Sequence, residues 1–385
     1  MRDLPGHGED HHQSRWQARG TGLRALQRNR DGRMSNASRE LLGRDRTPFL
    51  PDVVWRSVAG NFVRLDRHED PDAWHAAADA DCPLVTQWDD GASEDPEGLP
   101  TCSASMPSLV RAMLDECDIL PGHRVLEVGT GTGYTAALLK DRVGSAGVVV
   151  SVEVDAGIAS AARERLAAAG VEVDAVCADG LAGWKQGAPF DRVHITCGIR
   201  AIPSAWLRQC PDGKLVMPWG PANDDGAERL LSIDMAGGIG IGRLGEKLSF
   251  MKARSQRSTP WYDWPDTGEA GKAELPVTWS EIEGPTSRDD EFALGLLSGT
   301  TFRLSGSHDD EDGRVLWLER GGEYASIGFG KHHATTIAGD STVIGAYCRG
   351  LRWWLDHGRP RTARPGTTRH AERRPRPPRS VGRLC

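Results

Sequence analysis

The sequence predicts an α/β protein: a doubly wound, mostly parallel sheet, preceded by an N-terminal extension and followed by a small α+β domain. Three observations predict it. The stretch Val125-Leu-Glu-Val-Gly129-Thr-Gly131-Thr-Gly133-Tyr134 passes from apolar residues through alternating glycines straight into a helical pattern. That order reads as strand, tight loop, helix N-terminus, which brings backbone close to a nucleotide-like ligand. Apolar runs and helical patterns then alternate to about residue 218, as βα units do. Acids close two of the runs, Glu153 and Asp179, where an open sheet meets its ligand.

Each element has its own signal. Residues 1–45 begin polar and rich in His and Arg, with no apolar core to make a signal peptide, and read as a disordered tail. Between 46 and 100, Trp55, Phe62, Trp74 and Trp88 are spaced among polar residues, and Asp89, Asp90, Glu94 and Asp95 form a loop. This segment reads as an irregular, partly helical extension. Ser105 is a candidate cap and Pro107 a first-turn residue for a helix with Met106, Leu109, Val110, Met113 and Leu114 as its stripe. Pro121-Gly122 ends it. Core strands are expected at 124–128, 148–152, 171–177, 190–196 and 214–218. The run at 148–152 is apolar but for Ser151, as in a buried parallel strand. Helices are expected at 134–142 and at 156–169, the second stopped by Gly170. Residues 230–234 and 247–253 read as further strands, with antiparallel pairing open to them.

Two Trp and two Pro between 259 and 266 mark a boundary, so 101–258 forms the main domain and 259–358 a smaller one. The smaller unit has strand-like runs at 301–304, 315–318 and 324–329. It closes with a helix at 342–356 whose face is Ile344, Tyr347, Leu351, Trp354 and Leu355. Trp353-Trp354 reads as rim plus core. Residues 359–385 are an Arg/Pro-rich tail that cannot bury a core.

Composition excludes several classes. The 385 residues are 38% apolar with mean hydropathy −0.46, and no run reaches membrane-spanning length. Net charge is −7; nine Arg against one Glu from 359 onward make a local +8 and leave −15 for the remainder. An acidic body argues against nucleic-acid binding. Eight scattered Cys without a C-x-x-C pair suit a reducing cytoplasm. No metal is expected. Asp310, Asp312, Gly313 and Glu319 partly mimic a calcium loop, but His308 holds its first position and strands flank it, so it reads as an acidic hairpin turn. His332-His333 lacks a Cys or acid spaced to join it and reads as solvated loop. Nothing specifies an oligomeric state.

The glycine loop alone leaves two ligand classes open. Gly131-x-Gly133-x-x-Ala136, with Glu153 twenty residues on, also fits a dinucleotide fingerprint and hence an NAD-dependent oxidoreductase. Two features favour S-adenosylmethionine. Glu127, two residues before the first glycine, suits a cationic ligand better than a pyrophosphate, and Asp179-Gly180 offers an acid and an amide to an adenine edge. No Tyr-x-x-x-Lys accompanies the loop.

The ordered set Thr101-Cys-Ser103-Ala, Leu120-Pro-Gly-His-Arg-Val-Leu-Glu-Val-Gly-Thr-Gly-Thr-Gly-Tyr134, Ser151-Val-Glu153, Ala178-Asp-Gly180, Ala188-Pro-Phe-Asp191 and Gly213-Lys-Leu-Val-Met-Pro-Trp-Gly220 resembles the protein-L-isoaspartate O-methyltransferases over about 79–254. The Trp-rich 349–360 stretch resembles an extended actinobacterial branch with an added C-terminal domain. The resemblance implies the class I S-adenosylmethionine-dependent methyltransferase fold, that cofactor, and a protein or peptide substrate bearing an aspartyl or isoaspartyl carboxylate. It further implies either isoaspartate repair or tailoring of a ribosomal peptide through methyl ester and succinimide. In that family the segment matching 101–103 lies over cofactor and substrate, which makes Ser103 the candidate catalytic residue. Thr101, Cys102, Glu127, Gly129, Thr130, Gly131, Gly133, Tyr134, Glu153, Asp179 and Gly180 are the candidate cofactor-binding residues. One departure stands out: Ser103-Ala-Ser-Met-Pro107 lacks the family's following His. It motivates a third reading, a cofactor-binding protein without turnover.

Overall fold

The computed structural model describes residues 36–220, 228–259, 263–282, 287–305, 314–329 and 335–360. Its centre is a seven-stranded sheet built from β5 (Arg124–Val128), β6 (Val148–Glu153), β7 (Asp174–Cys177), β8 (Arg192–Ile195), β9 (Lys214–Trp219), β10 (Glu228–Ala236) and β11 (Ile239–Leu248), in the order β11-β10-β9-β8-β5-β6-β7. β5 to β9 are parallel; β10 and β11 add an antiparallel hairpin at one edge. Both faces of the central strands β5, β6, β8 and β9 are buried. Val125, Val149 and Val216 meet α3 (Pro107–Cys117) and α4 (Tyr134–Val143) on one side. Leu126, Val150, Val193 and Leu215 meet Trp206 of α6 (Ser204–Gln209) on the other. α5 (Ala156–Ala168) covers the β6–β7 edge, started by Asp155, whose carboxylate accepts the Gly157 and Ile158 N–H groups.

The extension differs from expectation. It is not irregular: β1 (Val53–Val58), β2 (Asn61–Asp66), β3 (Leu84–Trp88) and β4 (Pro100–Ala104) form an antiparallel sheet in the order β2-β1-β3-β4, with α2 (Pro71–Asp79) packed on it. Short strands with mixed burial carry too little alternation to be read from sequence. The expected tail also ends earlier than 45. α1 (Ala37–Leu42) runs from an Asn36 cap to Gly43 in the left-handed region. Buried Arg46 then donates to five carbonyls, of Ala77, Ala78, Ala80, Cys82 and Ser105. α3 is capped at Met106, not Ser105, with Pro107 in its first turn.

The strand expected at 247–253 is also displaced. β11 ends at Leu248, and 249–257 runs as a strap across the carboxyl ends of the parallel strands. Gly198 N–H donates to Met251 O, and Ala253 N–H to Gly198 O. Lys252 and Glu228, each only 1% exposed, pair at 2.6 Å, while Met251 packs on Trp55 and Trp88.

The C-terminal unit holds β12 (Gly271–Lys272), α7 (Trp279–Ile282), α8 (Arg288–Ser298), β13 (Thr301–Ser305), β14 (Arg314–Arg320), β15 (Glu323–Phe329), β16 (Thr335–Gly339) and α9 (Ser341–Asp356). Its antiparallel sheet, β12-β16-β15-β14-β13, buries one face against α8 and α9. α8 and β16 have no counterpart in the sequence reading. Trp354 is buried and Trp353 45% exposed, core and rim as expected. His308, Asp310, Asp312 and Gly313 of the expected acidic turn lie outside the described residues, as does His332-His333; Glu319 is buried and pairs with Arg200 at 3.4 Å.

Candidate functional site

The strand order reverses beside β5: β6 and β7 lie on one side, β8 and β9 on the other. Open α/β sheets receive ligands at the carboxyl ends of the strands flanking such a switch. The glycine loop, Glu153 and Asp179-Gly180 all sit at those ends, and β4 is folded over them.

The three glycines do different work. Gly129 (φ +94°) has no room for a Cβ, which would fall 2.5 Å from Thr196 Oγ1; that hydroxyl donates to Gly129 O at 2.5 Å and ties the loop to the end of β8. Gly133 (φ +88°) lets α4 start against α5, since a Cβ would meet Leu166 at 3.3 Å and Ala162 O at 3.4 Å. Gly131 (φ +53°) has an open flank: a Cβ there would reach only ordinary contact with Cys102 Sγ and Ser103 O, at 3.8 and 3.9 Å. Space beside backbone, bounded by β4, is what a ligand cradle needs.

β4 alternates. Cys102 packs inward at the glycine loop, and burial pushes its thiol up to about 11. Thr101 and Ser103 are half-buried on the other face. Thr101 donates to Gln87 Oε1 at 2.9 Å and accepts the Asp90 N–H at 3.1 Å. Ser103 makes no side-chain hydrogen bond among the described residues, so its hydroxyl is uncommitted.

Glu153, 8% exposed, accepts the Gly131 N–H at 3.0 Å and the Asp155 N–H at 3.1 Å, one on each oxygen. Each oxygen retains acceptor capacity. Asp179 is exposed and spends Oδ1 on the Leu181 N–H at 2.9 Å. Gly180 must be glycine, because a Cβ would lie 2.6 Å from Val128. Its carbonyl accepts Trp206 Nε1–H at 2.8 Å.

Glu127 calls for a correction. It is fully buried, and the Ser151 hydroxyl donates to Oε2 at 2.5 Å while sharing a 2.6 Å hydrogen bond with Thr130 Oγ1. Burial lifts its carboxyl to about 8 against the pull of the Ser151 hydrogen bond. Burial therefore works against its ionised form. Glu127, Ser151 and Thr130 form a buried polar chain instead. Tyr134 also points elsewhere: its ring packs on Phe49 at 5.6 Å, its hydroxyl donates to Arg44 O at 2.8 Å, and burial raises that hydroxyl's pKa.

Sequence reasoning missed several partners. Asp155 follows Glu153, and its place before a helix was a readable cap signal. Asp90, Thr196 and Arg254 come from distant loops, and no local signal links them. Among the described residues no group of three metal-ligating side chains is present, and no helix is long and apolar enough to cross a membrane.

A profile of the family described as protein-L-isoaspartate(D-aspartate) O-methyltransferase matches residues 66–243. The protein-L-isoaspartate O-methyltransferase of Methanopyrus kandleri is 34% identical over 194 residues, covering 49% of this chain and 80% of that protein. That of Methylorubrum populi is 41% identical over 134 residues, 34% of this chain and 60% of the relative. The match to the Methylorubrum extorquens protein covers 56% of its length, so the chain spans less than two thirds of the Methylorubrum relatives. A solved protein-L-isoaspartate O-methyltransferase structure aligns over 85% of this chain and 90% of its own, at 22% identity and TM-score 0.46.

Proposed function

The chain belongs to the protein-L-isoaspartate(D-aspartate) O-methyltransferase family, and from that membership we propose that it methylates an aspartyl or isoaspartyl carboxylate of a protein or peptide in the cytoplasm, with S-adenosylmethionine as methyl donor. The observation that carries this reading is the open flank of Gly131, bounded by Cys102 and Ser103, with Glu153 tied to the same loop.

The residues fit that cofactor. A ligand edge can lie on the Gly131 backbone, ribose hydroxyls can donate to the spare lone pairs of Glu153, and Asp179 with the segment after β7 suits an adenine edge. When bound, S-adenosylmethionine supplies a methyl group activated by a sulfonium. The protein then needs no general base, because a carboxylate is already ionised and nucleophilic at neutral pH. Its task is alignment and exclusion of water, which can lower a barrier by roughly 7–11 kcal/mol. The Ser103 hydroxyl is free to donate to one carboxylate oxygen and leave the other to react.

The test uses the full chain with S-adenosylmethionine and unrelated isoaspartyl peptides, measuring methanol released as the methyl ester breaks down. Release from several such peptides supports repair; release from one aspartyl peptide alone supports tailoring. Calorimetry that finds S-adenosylhomocysteine binding but no methanol with any acceptor would leave a binding protein and defeat the proposal. Ser103→Ala is expected to keep cofactor affinity and lower turnover about 10- to 100-fold, the size of one orienting hydrogen bond to a charged group.

A further inference from the structure

Glu153, the acid assigned to the ribose, hangs on a chain of contacts that ends outside the site. Its Oε1 accepts the Asp155 N–H. Asp155 is held on both sides: Oδ1 accepts the Gly157 and Ile158 N–H groups at 3.0 Å each, and Oδ2 faces Arg254 Nη2 at 3.0 Å and Gln87 Nε2 at 3.4 Å. The same Arg254 nitrogen reaches Asp90 Oδ1 at 3.0 Å. Arg257 closes on both oxygens of Asp90, at 2.7 and 3.0 Å.

Asp90 belongs to the N-terminal extension, Arg254 to the strap, and Asp155 to the loop after β6. Arg254 is therefore where three separate segments meet, one residue pair away from the glycine loop. The Asp155 side chain is only 14% exposed, so this contact is less screened than an ordinary surface ion pair. The strap does not depend on Arg254 for its path. Lys252 with Glu228, Met251 against Trp88, the Gly198 backbone bonds and Gln256 on the Arg200 and Ala201 N–H groups hold it independently.

Resting on the cofactor reading above, we propose that Arg254 is a positioning residue for the methyl donor: through Asp155 it holds Glu153 and the Gly131 amide in the geometry that receives the ribose. The acceptor chemistry lies elsewhere, so Arg254 governs how tightly the cofactor is held.

The experiment compares wild type, Arg254→Ala, Arg254→Lys and Asp90→Ala as full chains. It combines calorimetry against S-adenosylhomocysteine, kinetics at varied S-adenosylmethionine, and thermal midpoints without ligand. Arg254→Ala is expected to weaken binding and raise the cofactor KM about tenfold, the size of one partly screened charge-assisted hydrogen bond. The kcat at saturation and the ligand-free midpoint are expected to hold. Arg254→Lys is expected to restore most of the affinity, because a single nitrogen serves both acids and an ammonium can take its place. Asp90→Ala is expected to weaken binding less than Arg254→Ala. Unchanged affinity in Arg254→Ala, a fall in kcat or midpoint without a change in affinity, or a lysine variant no better than alanine overturns the inference. A wild type that binds no S-adenosylhomocysteine is a different failure: it removes the cofactor reading itself, and this inference with it.

Discussion

At the residue scale, identity in the motif and role in the structure part company. Gly129, Gly131 and Gly133 look equivalent in the sequence, yet only at Gly131 would an added Cβ meet nothing closer than ordinary contact. Gly131→Ala should therefore fold at the cost of a strained φ, about 1–2 kcal/mol, and should lose S-adenosylhomocysteine affinity beyond what calorimetry finds for wild type. Gly133→Ala should lower the thermal midpoint instead, because its methyl presses on Leu166 and the Ala162 carbonyl. A reversal of these two outcomes would put the ligand on the wrong glycine. Glu127 shows how burial works against a charge visible in the sequence. Its carboxyl, raised to about 8 by burial, keeps its proton in the folded chain where the unfolded chain loses it near the ordinary 4.5. The stabilisation is complete below 4.5 and is lost as pH rises to 8, by up to about 1.4 kcal/mol per pH unit. His194, on the neighbouring strand and buried with its imidazole pulled down to about 4, titrates the other way but only below its ordinary 6.5. Urea unfolding between pH 6.5 and 8 isolates Glu127. Wild type should weaken with rising pH while Glu127→Gln stays flatter, and parallel slopes would mean the carboxyl is ionised.

At the element scale, legibility followed the pattern that burial imposes. β5, β6 and β9 were readable because strands buried on both faces are mostly apolar, with few polar residues among them. α5 was readable from its stopping glycine, Gly170. β1 and β2 were not, because half-exposed antiparallel strands mix Arg, Asn and Asp with apolar residues. The strap was misread as a strand because half-buried Met251 and buried Lys252 are held for different reasons, one against a Trp cluster and one in an ion pair. That pair defines where the strap crosses the sheet. Lys252→Met leaves the Glu228 carboxylate buried without its ammonium and should cost about 3–5 kcal/mol. The double variant Lys252→Met with Glu228→Leu removes both charges and should recover most of that loss. Denaturant midpoints decide it: a double variant as unstable as the single one would show that the pair is not the strap's main electrostatic tie.

For the whole molecule, the sequence placed a second unit after the boundary near 259 but gave no hint of how it attaches, because attachment is made by residues with no shared local pattern. The seam lies along β9 and β10. Phe292 of α8 is fully buried and meets Trp219 edge-on at 5.9 Å, Asp289 pairs with Arg229 and, at 2.8 Å, with Lys247, and Glu319 reaches Arg200. Trp219 in turn donates to Arg200 O at 3.1 Å, and the Arg200 N–H donates to Gln256 in the strap. The C-terminal unit thus bears on the loop after β8 and, through Gln256, on the strap beside the proposed cofactor site. Units joined through a modest polar seam tend to move and melt separately, whereas a buried aromatic shared between them couples their unfolding. Phe292 is that aromatic, so wild type should melt in one transition by calorimetry. Phe292→Ala should cost about 3–5 kcal/mol and split the melt in two, with S-adenosylhomocysteine raising only the transition that belongs to the central sheet. A single transition that shifts down intact would show instead that the ion pairs at Asp289 and Glu319 suffice to bind the two units into one cooperative body.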